Sequence, residues 1–417
     1  MLEFRNGILK LKTGRGIIDL INDLSLVLLL VCMTTLGRAA EGSNYLYYFS
    51  FFIFIFLTFI NLLAGSINSQ RILINIHTVW YTVFIVFGIA SSIWAYNFEA
   101  ALEPIQKMVQ ILAITFCLQV YVKNERDFER LLDLLVLTGV IMSSYILIET
   151  PFSQWSAGFL GSVTGYNTNS VGIFLSMVVI ISAYKGLVLN KKRYLILTAA
   201  FMFMVIMTSS RKSLFISILG LISLVVLNTQ KKHYILHVVL IFGLAGLLMF
   251  SIFNVPYLYN TVGFRLASMA KFFTEDTTAD NSLALRTYFI NIGSQFYLEH
   301  PIIGIGLNNF ASYLRQYRSV TFYAHNNYIE LASGLGTIGL LIYYWFYLYL
   351  FVKLLKQLLR GEKTALLFFS FVCLVIVFDY SMVTYYSSMI QTLIVISYIA
   401  VCINDAKYKK RIKEDII

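Results

Sequence analysis

Residues 45–65 read YLYYFSFFIFIFLTFINLLAG and contain no charged side chain. An α-helix needs about 20 such apolar residues to cross the hydrocarbon core of a bilayer. Similar runs recur along the 417-residue chain, in which 59% of the residues are hydrophobic and 13% are charged. Charged residues make up roughly a quarter of a soluble domain, and barrel strands would be runs of about 10 alternating residues. The sequence therefore predicts an all-α polytopic membrane protein.

We predict twelve transmembrane helices with both termini in the cytoplasm. The inner segments of this arrangement hold 23 of the 32 Lys and Arg residues, as the positive-inside rule requires. The net charge of +11 thus reflects topology, and we expect no nucleic-acid partner. The predicted spans lie near residues 17–36, 45–65, 76–96, 105–122, 131–149, 167–189, 194–209, 213–228, 234–253, 328–352, 364–380 and 386–404.

One connection is much longer than the others and divides the chain into three predicted regions. Its pattern indicates short helices, one of which ends at His300-Pro301. A structured loop on a membrane scaffold is a common place for function. The regions are transmembrane helices 1–9 (1–253), a long structured outer loop (254–327), and transmembrane helices 10–12 with a basic cytoplasmic tail (328–417).

Arginines on the predicted outer side oppose the topology rule and therefore need a reason. An arginine side chain offers a fork of donors that suits phosphate and stays charged. Arg211 lies in a tight Ser-rich turn between two spans, so its charge is held at the membrane surface. For Arg315 and Arg318 we favour a solvated loop face or headgroup contact, with phosphate binding as the alternative. The six outer arginines are Arg38, Arg211, Arg265, Arg286, Arg315 and Arg318.

Among the five histidines, His325 is the candidate for chemistry because it ends the long loop just before a span. A histidine can take or give a proton near neutral pH. His233 and His237 have the i,i+4 spacing of helical metal ligands, but no acidic or Cys partner is near them. We therefore predict no metal site and no cofactor.

The segment His325-Asn326-Asn327-Tyr328-Ile329-Glu330-Leu331-Ala332-Ser333-Gly334-Leu335-Gly336-Thr337-Ile338-Gly339 resembles the signature of the O-antigen ligase and polymerase superfamily. That signature is His-Asn, nine residues, Gly, two residues and Gly or a substitute. Residues 300–310 resemble the family's loop turn, the segment from Arg286 its loop helix, and residues 210–213 its short Ser-Arg turn. These matches follow one another in the family's order over roughly residues 208–345.

The resemblance implies a GT-C-like membrane enzyme, namely a metal-independent, inverting glycosyltransferase at the outer face of the bacterial cytoplasmic (inner) membrane. Its donor would be a glycan on polyprenyl pyrophosphate. His325 would be either the general base on the acceptor hydroxyl or a phosphate ligand. Arg211 and Arg286, with Arg265 and Arg318 as further candidates, would bind the pyrophosphate.

Three functions remain open from the sequence, and we favour a polymerase that joins lipid-linked repeat units into O-antigen or capsular polysaccharide. The first alternative is an O-antigen ligase that transfers the lipid-linked glycan to lipid A core. A lipid-linked oligosaccharide flippase or other transporter is less favoured, because the span centres are almost free of charge. Expected partners are the lipid-linked glycan, membrane lipid and other polysaccharide-assembly membrane proteins.

Overall fold

The computed structural model describes residues 2–5, 8–11, 17–35, 44–64, 75–151, 168–228, 243, 246–247, 249–274, 281–317 and 322–416. A two-stranded antiparallel hairpin, β1 (Leu2–Arg5) and β2 (Ile8–Leu11), precedes the first helix, with Leu2 opposite Leu11. The helices are α1 (Ile17–Thr35), α2 (Asn44–Ala64), α3 (Ile76–Ala90), α4 (Leu102–Tyr121), α5 (Glu125–Glu149), α6 (Thr168–Ala183, continued by a π-helical turn over Tyr184–Val188), α7 (Arg193–Met207), α8 (Arg211–Asn228), α9 (Phe264–Thr274), α10 (Asn281–Glu299), α11 (Phe310–Tyr317), α12 (Asn327–Leu359), α13 (Lys363–Phe378) and α14 (Ser388–Ile416).

The described residues contain nine helices that are long and apolar enough to cross a membrane, together with the shorter apolar helices α7 and α13. This confirms the predicted all-α polytopic membrane fold. These helices correspond to eleven of the twelve predicted spans. The remaining one, near 234–253, falls mostly outside the described residues. The hairpin is a local departure from the all-α prediction and leaves the membrane fold unchanged.

The exposed surface of α2 has the character of a lipid-facing helix. Phe52, Phe56 and Phe59 are 64%, 62% and 55% exposed, and their spacing places them on one face of the helix. Apolar side chains on such a surface need lipid around them, because water would make the exposure unfavourable. The distribution of side chains around α2 therefore agrees with its assignment as a span.

The chain forms two compact units, of which the first comprises Met1–Leu73, Phe116–Val225 and Leu236–Val262. Its central helix is α6, and all its residues from Val171 to Ala183 are buried. Helices α1, α5 and α7 pack against it. A Cβ added to Gly139 on α5 would lie 2.9 Å from the side chain of Val178, so this glycine permits the close packing.

A fully buried lysine joins three helices of the first unit. Lys185 Nζ lies 2.5 Å from Asp133 Oδ1, and the Tyr194 hydroxyl donates to the same oxygen at 2.5 Å. Lys185 belongs to the π-helical turn that ends α6, whereas Asp133 is on α5 and Tyr194 is on α7. A charge buried among membrane helices is costly unless it is paired, so this ion pair fastens the three helices at one end.

The second unit comprises Ile74–Thr115, Val226–Ile235 and Gly263–Ile417. Helices α3, α12, α13 and α14 form its apolar bundle. The indole of Trp80 on α3 stacks on Phe346 with 4.4 Å between the ring centroids, and its Nε1 donates to the Ile342 carbonyl at 2.8 Å. A smaller core joins α10 and α11 to the start of α12; its buried residues are Phe289, Phe296, Ile305, Phe310, Leu314 and Ala324.

Helix α12 is broken at Gly336, where φ is 64° and ψ is −164°. Although Asn327 and Tyr344 are 17 residues apart, Asn327 Nδ2 donates to Tyr344 Oη at 2.9 Å. The rings of Tyr328 and Tyr344 also stack, with 4.9 Å between their centroids. A straight helix would separate positions 327 and 344 by about 25 Å, which two side chains cannot bridge. The chain therefore turns back at the break. The two arms are α12a (327–335) and α12b (337–359).

The break changes which residues can form the span predicted near 328–352. At 1.5 Å per residue, α12b alone is about 34 Å long, which suffices for a hydrocarbon core of about 30 Å. Arm α12a is about 14 Å long and cannot cross by itself. The sequence does not indicate this difference, because the apolar run continues through Gly336 and hydropathy does not detect a change of direction.

Candidate functional site

The loop at residues 301–306 supplies hydrogen-bond partners for the backbone groups exposed by the break in α12. In a continuous helix, the carbonyls of Ser333 and Gly334 would accept from the N–H groups four residues later. Here the two acceptors and the two donors find partners in the loop instead, so none of the four is left unpaired. We call the paired segments 301–306 and 333–338 the Gly336 clasp. Its bonds are Ile305 N to Ser333 O (2.9 Å), Gly306 N to Gly334 O (2.8 Å), Thr337 N to Pro301 O (2.8 Å) and Ile338 N to Ile302 O (3.2 Å).

Two glycines make this clasp sterically possible. A Cβ added to Gly304 would lie 2.4 Å from the carbonyl of Gly334, and one added to Gly336 would lie 2.4 Å from the carbonyl of Ile302. Both glycines also have positive φ, 69° and 64°, a region that side chains disfavour. The Gly-x-Gly turn and the first glycine of the signature are therefore two halves of one backbone contact.

The segment between the α3 and α4 helices holds the far side of the clasp loop. The Ser91 hydroxyl accepts from the Leu307 N–H at 3.0 Å. The buried Asn309 side chain accepts from the Asn97 N–H at 2.7 Å and donates to the Asn97 carbonyl at 3.1 Å. Asn308 Nδ2 donates to the Ala100 carbonyl at 2.7 Å. The loop is thus fixed on two sides.

Helix α10 runs alongside α12a in the same direction. Just before α12a, the Phe289 ring lies beside that of His325, and just after α12a the Tyr297 hydroxyl lies 2.9 Å from that of Thr337. Between them, a Cβ added to Gly293 would lie 2.3 Å from the Ile329 side chain. The absence of a side chain at position 293 therefore sets the distance between α10 and the His325 segment.

His325 is half-buried and has a left-handed backbone, with φ of 54°. The Tyr323 ring centroid lies 3.8 Å from that of the imidazole, and the Phe289 ring lies nearly parallel to it at 6.3 Å. For a non-glycine residue this backbone costs on the order of 1 kcal/mol or more and persists only when the surroundings enforce it. Residues held in this way are concentrated at functional sites.

The residues on either side of His325 are both anchored. The Ala324 N–H donates to Glu330 Oε2 at 2.8 Å. Asn326 Oδ1 accepts from the Ile329 N–H at 3.1 Å and so caps the N-terminus of α12a. The chain therefore enters and leaves the histidine at fixed points.

Asn327 ties the start of α12a to the loop that joins α13 to α14. Its N–H donates to the Asp379 carbonyl at 2.7 Å, and its Nδ2 donates to the Asp379 carboxylate at 3.2 Å. Its Oδ1 accepts from the N–H groups of Thr384 (2.8 Å) and Tyr385 (3.2 Å). The hydroxyls of Thr384 and Tyr344 also donate to Asp379, each at 2.7 Å. We call the five residues Asn327, Tyr344, Asp379, Thr384 and Tyr385 the Asn327 lock.

Two of the four arginines predicted to bind pyrophosphate have described side chains, and they belong to different units. Arg286 is half-buried on α10, one turn before Phe289, and its spacing from Phe289 and Gly293 places it on the helix face that meets the His325 segment. Arg211 belongs to the first unit, where it begins α8.

The turn before Arg211 is a buried hydroxyl cluster. Ser209 has a left-handed φ of 54°. The Ser210 hydroxyl donates to Asn169 Oδ1 at 3.0 Å and accepts from the Ser213 hydroxyl at 2.8 Å. These bonds fix the backbone from which Arg211 projects.

Of the other outer arginines, only Arg315 has a described side chain. The backbone of Arg265 lies in α9, but its side chain falls outside the described part of the chain, as do Arg318 and Arg38. Arg315 is exposed on α11. The His233/His237 pair also lies outside the described residues. Within the residues that are described, no group of three or more His, Cys, Asp or Glu side chains is placed to hold a metal ion.

Sequence reasoning missed several residues that surround His325. Glu330 and Asn327 lie inside the signature, and their polar side chains in an apolar run were the available signal. Asp379 gave a similar signal at the end of a span. Ser91 and Asn97 gave none, because nothing in their local sequence indicates that residues more than 200 positions later bind them.

The fold and the site together define a polytopic membrane protein in which a broken helix, joined to a loop at Gly336, begins just after a histidine with a strained backbone. A sequence model of the O-antigen ligase family matches residues 196–344. This match confirms the resemblance to the O-antigen ligase and polymerase superfamily. It indicates ligase- or polymerase-type function, a glycosyltransferase-like enzyme and a lipid-linked glycan substrate. The matched stretch includes Arg211, Arg286 and His325. No curated protein sequence is similar enough to the chain to count as a match.

Proposed function

We propose that this protein polymerises lipid-linked oligosaccharide repeat units into O-antigen or capsular polysaccharide. The reaction would take place at the outer face of the bacterial cytoplasmic membrane, with both termini of the chain in the cytoplasm. The observation that carries the proposal is the geometry of His325, which is half-buried beside two aromatic rings on a strained backbone anchored at both neighbouring residues. That geometry favours a positioned proton acceptor over a solvated loop residue.

In the proposed step, an acceptor sugar hydroxyl attacks the anomeric carbon of a glycan carried on polyprenyl pyrophosphate. The new bond joins the acceptor oxygen to that carbon, and the carbon–oxygen bond to phosphate breaks. Polyprenyl pyrophosphate leaves with the bonding electrons, and His325 takes the hydroxyl proton. Because the attack comes from the face opposite the leaving group, the anomeric configuration inverts.

The leaving pyrophosphate carries negative charge that positive side chains can stabilise. We assign this role to Arg286, whose place on α10 one turn from Phe289 supports it. Arg211, Arg265 and Arg318 remain sequence-based candidates for the same role. In this proposal the charge stabilisation comes from arginine, and no metal takes part.

The proposal can be tested with purified protein in lipid vesicles supplied with lipid-linked repeat units, by measuring glycan length on gels. Wild type should give a ladder of lengthened glycans that are still attached to the lipid carrier. His325→Asn is the informative variant, because asparagine tolerates a left-handed backbone but cannot act as a base. We expect its rate to fall by about 10²–10⁴.

His300→Asn is the matched control, since His300 is exposed at the far end of α10, and it should keep the wild-type ladder. Full activity of His325→Asn would remove His325 from the chemistry. If wild type lengthens nothing but transfers its glycan to added lipid A core, the ligase assignment replaces the polymerase assignment.

A further inference from the structure

Glu330 is a buried carboxyl in the first turn of α12a, five residues after His325. Only 3% of its surface is exposed. Its Oε2 accepts the Ala324 N–H at 2.8 Å. Ala324 is itself fully buried in the small core that joins α10 and α11 to α12, so without Glu330 this N–H would lose its acceptor in a place that water does not reach.

The bond acts on the residue immediately before His325. Asn326 caps α12a and fixes the chain after the histidine, while Glu330 fixes the chain before it. A left-handed φ at His325 is unfavourable by itself, and an attachment on each side of the residue opposes its relaxation. The Glu330 side chain is thus bonded to the residue from which the His325 backbone continues.

The other oxygen of Glu330 differs from Oε2 in its hydrogen bonding. Oε1 is buried and has no hydrogen-bond partner among the described residues, and the same holds for the nearby Tyr385 hydroxyl. Burying a carboxyl with one oxygen unpaired is costly, and an apolar side chain would avoid that cost. The described interaction that offsets the cost is the bond to Ala324.

We propose that Glu330 is a positioning residue, whose carboxyl holds the Ala324 N–H and thereby orients His325 for the transfer reaction. The inference rests on the proposed function, because it needs His325 to act on substrate. The required properties of Glu330 are then the length of its side chain and an acceptor oxygen, whereas its negative charge has no role.

Two variants of Glu330 separate the effect of side-chain length from the effect of charge. Glu330→Gln keeps the length and the acceptor oxygen but removes the charge, and its amide nitrogen can take the position of the unpaired Oε1. Glu330→Asp keeps the charge but is one methylene too short. Glu299→Asp, at an exposed position that ends α10, is the matched control. The vesicle assay gives kcat and KM, and hydrogen exchange of the peptide containing Ala324 reports the bond without any substrate.

We expect Glu330→Gln to stay within about threefold of the wild-type kcat, while Glu330→Asp loses about 10²-fold, because misplacing a reacting group by about 1 Å can cost that much. KM should change little in either variant. Exchange at Ala324 should speed up in Glu330→Asp and remain slow in Glu330→Gln and in the control.

Equal loss of kcat in Glu330→Gln and Glu330→Asp, with slow exchange kept in the Gln variant, would overturn the inference in favour of a role for the charge. Unchanged kcat in Glu330→Asp with fast exchange would also overturn it. Failure of the proposed function is a separate result, since it appears as full activity in His325→Asn.

Discussion

Asn327 uses its backbone N–H, its side-chain amide and its side-chain carbonyl to hold the start of α12a two residues from His325. Apart from Tyr344, its partners Asp379, Thr384 and Tyr385 lie more than 50 residues away, in the loop between α13 and α14. These three residues are buried, so their polar groups cannot bind water instead when the bond to Asn327 is lost. A few buried hydrogen bonds of Asn327 therefore fix the position of the backbone close to His325.

Removing the Asn327 side chain should destabilise the second unit clearly. Asn327→Ala leaves the buried N–H groups of Thr384 and Tyr385 without their acceptor, and each unsatisfied group costs about 1–3 kcal/mol. We expect a fall of at least about 2 kcal/mol in the free energy of unfolding, seen as a lower thermal midpoint of the detergent-solubilised protein.

The control for that change is Ser397→Ala. Ser397 is equally buried, but within the described part of the chain its hydroxyl donates only to the Leu393 carbonyl of its own helix, at 2.8 Å. Its removal therefore leaves no described buried donor unpaired. Equal midpoints for Asn327→Ala and Ser397→Ala would show that the Asn327 lock contributes nothing to stability.

At the scale of elements, the Gly336 clasp determines how the His-Asn signature is presented. The signature spacing from His325-Asn326 to Gly336 corresponds to the length of one short arm, α12a, before the chain turns back. From the sequence we predicted the helix and noted Gly336 in the signature, but we expected a single continuous span. The difference has a physical cause, because residues on both sides of Gly336 are apolar and the hydrogen-bond partners of the broken backbone lie about 30 residues earlier, in the loop at 301–306.

Two glycine substitutions separate the steric effect of the contact between Gly336 and the Ile302 carbonyl from the effect of backbone strain. Gly336→Ala combines an unfavourable backbone (φ 64°, ψ −164°) with a Cβ 2.4 Å from the Ile302 carbonyl. Gly361→Ala has a positive φ of 80° but no atom within 4 Å of the added Cβ.

We expect Gly361→Ala to lower stability by about 1 kcal/mol and to keep polymerising activity. Gly336→Ala should abolish activity and lower the yield of folded protein, because the clasp cannot close. Activity and size-exclusion profiles of both proteins check this. An active Gly336→Ala protein would mean that the clasp is not needed.

At the scale of the whole molecule, the chain is a multi-pass membrane protein, and the side on which each segment lies is a prediction from charge. Its basis is the excess of Lys and Arg in the short segments assigned to the cytoplasm. The proposed function needs the His325 segment on the opposite side from the basic tail, where lipid-linked glycans are assembled.

Cysteine labelling tests this orientation. In a variant without the four native cysteines, Leu298→Cys on α10 and Lys410→Cys on α14 each offer an exposed thiol. A maleimide that cannot cross membranes should label Leu298→Cys in intact spheroplasts and should label Lys410→Cys only after permeabilisation. Labelling of both positions in intact spheroplasts would contradict the predicted count of spans.

The sequence by itself determined the class of protein, most of the spans and the candidate histidine. Apolar run length and signature spacing are properties of neighbouring residues, so they can be read along the chain. Only the tertiary structure decided that α12 turns back at Gly336, that Asn327 binds Asp379, and that Glu330 holds the residue before His325. Each of these depends on hydrogen bonds to groups whose position is set by packing, and a buried donor shows no preference for a remote acceptor until the helices that carry both have come together.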